Sequence, residues 1–121
     1  MRVDFSEGCS IGPGKIALLE GIARTGSLSA AARSLGMSYR RAWLLLHSLN
    51  GAFDEPSVAL SAGGKDGGGA RLTTFGAALI EAYRSFETAV DALAVRTFGS
   101  LRTNPAQSAE IDESRQPLRP G

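Results

Sequence analysis

A single cysteine, Cys9, rules out an intrachain disulfide and a cysteine-built zinc site. The single histidine, His47, has no nearby cysteine or paired carboxylates with which to form a metal site or a triad. We therefore read His47 as a surface side chain and Cys9 as inert. Without a histidine–acid pair to activate them, Ser27, Ser29 and Ser38 are read as helix caps and not as nucleophiles. No apolar run approaches the roughly 18 residues that span a bilayer, and the first residues lack the basic-then-apolar pattern of a secretion signal. The expectation is a cytoplasmic protein with no membrane partner, no metal, no cofactor and no enzymatic activity. Net charge is only +1, so composition alone announces no nucleic-acid partner.

The distribution of charge says more than its sum. Between Lys15 and Arg102, ten Lys or Arg stand against seven Asp or Glu, leaving +3, and Arg40 and Arg41 are adjacent. They fall inside the most informative stretch, Gly26 to Leu49. A short Ala-rich segment, a glycine and a second segment opening on hydroxyl and basic side chains make a helix-turn-helix. Either Ser27 or Ser29 caps the first helix, and Ala31 and Ala32 keep it slim enough for a close crossing. Gly36 follows the last apolar residue, Leu35, where a left-handed residue ends a helix at least cost. Ser38 caps the second helix, on which Ala42, Leu45, Leu46 and Leu49 recur at helical spacing and should face the core. Trp43 is assigned to packing against the hairpin or the last helix, with contact to DNA backbone as the alternative.

Around this unit the chain reads as short strands and helices. Residues 2–11 suggest a hairpin turning at Glu7-Gly8. Pro13 opens a helix with Ile16, Leu18, Leu19, Ile22 and Ala23 on its apolar face. After Asp54-Glu55-Pro56, strands at Val58–Leu60 and Ala70–Leu72 flank Gly63-Gly64-Lys65-Asp66-Gly67-Gly68-Gly69, which makes a wing. Either Thr73 or Thr74 caps a last helix reaching about Phe98. Phe75, Leu79 and Ile80 should complete the domain's core, leaving Tyr83, Phe86, Val90 and Leu93 as an apolar stripe for a homodimer partner. The fold class expected is mainly α with a small β component, a winged helix-turn-helix over residues 1–98. Within it the helix-turn-helix spans 27–51, the wing 57–72 and the dimerisation helix 73–98. Residues 99–121 have Leu101, Ile111 and Leu118 as their large apolar side chains and are expected to be a disordered polar tail.

Two glycine motifs fail on inspection. A phosphate loop needs Gly-Lys-Ser/Thr, but Gly64-Lys65 is followed by Asp66 and the required upstream glycine is Ala59. Gly12-Pro13-Gly14-Lys15-Ile16-Ala17 matches a dinucleotide fingerprint, yet a helix follows it where that fold needs a second parallel strand.

Residues 13 to about 88 resemble the N-terminal winged-helix domain of the molybdate-responsive ModE regulators. More distantly they are similar to the helix-turn-helix of LysR-type regulators. The resemblance rests on Lys15-Ile16-Ala17-Leu18-Leu19, on Thr25 to Ala32, on Gly36-Met37-Ser38-Tyr39-Arg40-Arg41-Ala42-Trp43 and on Gly63 to Thr73. It implies a DNA-binding domain that dimerises through its helices on palindromic operators, with a link to molybdenum or oxyanion metabolism. Those regulators continue into two molybdate-binding modules that have no counterpart within these 121 residues, so a stand-alone form is expected. Asp66 also puts an acid where that family's wing usually has glycine.

The expected function is a transcription regulator that binds double-stranded DNA as a homodimer. Tyr39, Arg40 and Arg41 are assigned to base edges and phosphates, Leu44 to a thymine methyl, and Ser38 to capping and a phosphate. Lys65 and Arg71 in the wing, and Arg33 on the preceding helix, are assigned to the DNA backbone. A protein-interaction winged helix without DNA binding and a small oxyanion sensor are the alternatives, and the small-molecule effector is unknown.

Overall fold

Among residues 1–6, 9–61 and 69–101, which the computed structural model describes, strands β1 (Val3–Ser6) and β2 (Cys9–Ile11) come first. Helices α1 (Pro13–Thr25), α2 (Leu28–Ser34) and α3 (Tyr39–Asn50) follow, then β3 (Val58–Ser61), β4 (Gly69–Leu72) and α4 (Thr74–Phe98). Both strand pairs are antiparallel, with Val58 opposite Leu72 and Ser61 opposite Gly69 in the second. This is the winged-helix architecture, mainly helical with a two-stranded wing. The chain divides into two units, Met1–Glu87 and Thr88–Gly121.

In the first unit, local chemistry sets each helix end. Ser27 accepts the Ala30 amide at 3.1 Å and is the cap of α2. Gly36, at φ +68°, ends α2: its amide reaches the Arg33 carbonyl, and the Met37 amide reaches Ala32 at 3.0 Å. That pair of bonds satisfies carbonyls the helix leaves open and swings the chain sharply into α3. Thr73 caps α4, its hydroxyl accepting the Gly76 amide at 2.9 Å while donating to the Pro56 carbonyl at 2.7 Å.

Ile16, Leu18, Leu19 and Ile22 of α1 are fully buried against Ala31 and Ala32 of α2 and Ala42, Leu46 and Leu49 of α3. Ala23, placed on the apolar face of α1 by its spacing, is exposed, and Gly21 is buried there. A β-carbon on Gly21 would lie 3.1 Å from that of Ala31, so α1 and α2 cross closely enough that an alanine there fits only if one helix gives by a few tenths of an ångström. Phe53, Phe5 and Phe75 stack edge to face and tilted, with centroids 5.3 Å apart, and join the hairpin, the loop after α3 and the start of α4.

The wing is held at its base by two contacts. The Ala70 amide donates to the Gly26 carbonyl at 3.0 Å, at the α1–α2 turn. Asn50, the last residue of α3, accepts the amides of Ser57 and Val58 at 2.9 and 3.1 Å and donates to the Val58 carbonyl at 3.1 Å. Asn50→Ala leaves two amides without that partner, at about 1–3 kcal/mol each where they are cut off from water. The expected loss is about 2–4 kcal/mol, read as a lower denaturation midpoint with an unchanged m-value. A midpoint equal to wild type would show that Asn50 does not fasten the wing.

Arg84 on α4 donates twice to Glu20 on α1, at 2.6 and 3.0 Å, and once to Glu87 at 2.7 Å. Those hydrogen bonds hold the Glu20 carboxyl below its usual range, against the opposing effect of its partial burial.

Tyr83 departs from its expected place on a dimer stripe. It is only 4% exposed, and its hydroxyl bonds to the carbonyl and amino group of Met1. The N-terminal hairpin lies over this part of α4, so Tyr83 serves the unit's own core. In the second unit, the described residues are the last turns of α4 and a turn in which the Gly99 amide meets the Val95 carbonyl at 2.8 Å. Leu93, Val95 and Phe98 are each more than half exposed there. Of the disordered tail expected from composition over residues 99–121, residues 99–101 are described as that turn, and residues 102–121 lie outside the described residues.

Candidate nucleic-acid interface

Helix α3 separates into two faces. At about 100° per residue, Ala42, Leu45, Leu46 and Leu49 share one side, and all four are buried or half-buried. Arg40, Leu44 and His47 fall opposite and are exposed. Tyr39 and Trp43 flank them on one side, Arg41 and Ser48 on the other, and these too are exposed. The inward face packs on α1 and α2, so the outward one is available over three turns.

The N-terminus of this helix is well defined. Ser38 accepts the Arg41 amide at 3.1 Å, which fixes the first turn and the directions of Tyr39, Arg40 and Arg41. The hydroxyl keeps its proton for a further acceptor. Lys15 of α1 supports the far end, donating to the Ser10 carbonyl at 2.8 Å and to the Ser48 hydroxyl at 3.2 Å.

No acidic residue occurs between Glu20 and Asp54, a span that includes all of α2 and α3 and four arginines. Arg24 is engaged with Ser34 at 3.1 Å. Arg33, Arg40 and Arg41 are exposed and make no side-chain hydrogen bond or ion pair with other described residues. Cations left unneutralised on a protein surface attract a polyanion. Arg71, on β4 opposite Ala59, is likewise exposed. Lys65 and Asp66, assigned to the wing tip, lie outside the described residues.

Trp43 does not join the core. It is 39% exposed and stacks on His47 one turn later, with ring centroids 3.6 Å apart and planes at 23°. The physical reason is angular: position 43 lies off the stripe made by Ala42, Leu46 and Leu49, while positions 43 and 47 are helical neighbours. That i, i+4 spacing was the signal available in the sequence. Cys9 is half-buried, its thiol 3.5 Å from the Ala52 carbonyl. Among the described residues no group of His, Cys, Asp and Glu is arranged to hold a metal, and no helix is long and apolar enough to cross a membrane.

No protein-family model matches the chain. It is 44% identical over 100 residues to the molybdenum-pterin-binding protein MopB of Rhodobacter capsulatus, covering 83% of this chain and 37% of MopB. It is 37% identical over 100 residues to the molybdenum transport protein ModE of Azotobacter vinelandii, covering 79% of this chain and 37% of that protein. Its relatives are ModE and Mop proteins. A further one, the DNA-binding transcriptional dual regulator ModE of Escherichia coli, is 42% identical over 71 residues, 59% of this chain and 27% of that ModE. The chain thus spans about a third of the length of the ModE and Mop proteins it matches.

Proposed function

We propose that this chain is the DNA-binding winged helix of a transcription regulator. The observation that carries the reading is the outward face of α3: capped at its start, free of acids, and presenting arginines that no described residue neutralises. Its similarity to a ModE named for DNA binding and transcription supports the same reading. In it, α3 enters the major groove, with Tyr39, Arg40 and Arg41 at base edges and phosphates and Leu44 against a thymine methyl. Ser38 caps the helix and offers its hydroxyl to a phosphate. Arg33, Arg71 and Lys65 hold the DNA backbone and set the register.

The reading includes a homodimer through the far part of α4. Phe86, Val90 and Leu93 recur at i, i+4 and i+7, with Phe86 41% and Leu93 53% exposed. Tyr83 is left to its own core. Two copies of α3 would then meet an inverted repeat with half-sites about 34 Å apart. Two relatives are named for molybdenum-pterin binding and for molybdenum transport, and the setting proposed for this chain is regulation linked to molybdenum, in the cytoplasm.

The test is capture of sheared genomic DNA by the purified protein in about 100 mM salt, followed by sequencing of the bound fragments. An enriched inverted repeat with that spacing is expected. Bound fragments with no shared sequence would overturn specific recognition, and a single unrepeated half-site would overturn the dimer.

A further inference from the structure

We infer that His47, held by Trp43, is a sequence-reading residue, and that it extends the half-site about three base pairs beyond the contact of Arg40. The inference rests on the DNA-binding reading above and deepens it.

Arg40, Leu44 and His47 occupy i, i+4 and i+7 on the outward face of α3, so one line of side chains runs along the helix away from the core. Seven residues advance the helix by about 10 Å, which is about three base pairs at 3.4 Å each. His47 is exposed, and the Trp43 ring covers one face of its imidazole at 3.6 Å. Stacking leaves the nitrogen-bearing edge uncovered and restricts the ring to few orientations, so little rotamer freedom remains to be lost on contact. An imidazole N–H presented to the major groove finds one acceptor at N7 of adenine or at O4 of thymine, and two side by side at N7 and O6 of guanine. The base favoured at the position read by His47 is therefore a purine, guanine. Trp43 is a positioning residue: it aims the imidazole.

The experiment selects bound sites from a randomised duplex library with the wild-type protein and with His47→Ala, Trp43→Ala and Trp43→Phe, each shown by thermal melting to be folded. Wild type is expected to select a motif containing a purine about three base pairs from the position that Arg40→Ala erases. His47→Ala should lower the preference there by about fivefold to tenfold while the rest of the motif stays. Trp43→Ala should do the same, and Trp43→Phe, which keeps a ring to stack on, should restore it. An unchanged motif with His47→Ala overturns the inference and leaves the DNA-binding reading standing. An effect of His47→Ala that Trp43→Ala does not share overturns the role given to Trp43. No motif with wild type overturns both the inference and the reading beneath it.

Discussion

Replacing Arg40 and Arg41 together by alanine is expected to lower affinity for the selected operator by about a hundredfold or more and to bring specific binding close to the level on random DNA. Each good contact from an arginine to a base is worth about 1–3 kcal/mol of discrimination, and every 1.4 kcal/mol is tenfold. The fold should survive. Both side chains are exposed, the Ser38 cap receives a backbone amide and not a side chain, and alanine is the best helix former. Two lost cations also flatten the dependence of affinity on salt, the slope falling by about one for each former phosphate contact. Arg71→Ala serves as the comparison, because a backbone contact carries no sequence information. It should weaken specific and random DNA alike, by the same factor. Titration of both substrates by fluorescence anisotropy at several salt concentrations separates the two cases. Equal losses on specific and random DNA for the double variant would sink the assignment of α3 to the bases.

Gly76→Ala should be among the most damaging single-methyl changes in the chain. A β-carbon there would lie 2.1 Å from the Ser57 carbonyl oxygen, far inside contact distance. Neither side can retreat. The Ser57 carbonyl accepts the Thr73 amide at 3.0 Å, and the Ser57 amide is held by Asn50 at 2.9 Å. Gly76 is itself bonded to the capping hydroxyl of Thr73. Alanine would otherwise favour a helix by up to about 1 kcal/mol, but overpacking against fixed backbone costs about 3 kcal/mol or more. On a domain of this size the net loss lowers Tm by roughly 10–20 °C. Gly14→Ala, within α1 where an added β-carbon meets nothing within 4 Å, is the control and should hold Tm or raise it by a few degrees. A Gly76→Ala protein melting with wild type would mean that α4 and the Ser57 backbone just before β3 are not in the close contact described.

The outward face of α3 was legible before any fold was known, because one helix carries its own periodicity. Once Ala42, Leu45, Leu46 and Leu49 are taken as the inner stripe, Tyr39, Arg40, Arg41 and Leu44 can point only outward. Trp43 shows where residue type misleads: a tryptophan is expected inside, yet its angle on the helix keeps it out, and the stack on His47 exploits that position. Tyr83 errs in the other direction. Its spacing belongs with Phe86 and Val90, but the N-terminal hairpin, more than seventy residues earlier in sequence, folds over it.

The sequence by itself determined what depends on near neighbours along the chain. The helix ends at Ser27, Gly36 and Ser38 and the two faces of α3 follow from groups within a few residues, and the run without acids from Gly21 to Phe53 is read directly. Only the tertiary structure decided what depends on partners far apart. Glycine was required at 76 because the Ser57 carbonyl lies against it, Arg84 was paired to Glu20 across α1 and α4, and Tyr83 was buried and bonded to Met1. The physical reason is that periodicity and capping act over one or two turns of chain. Close packing between elements depends on the distance at which they meet, and no single segment specifies that distance.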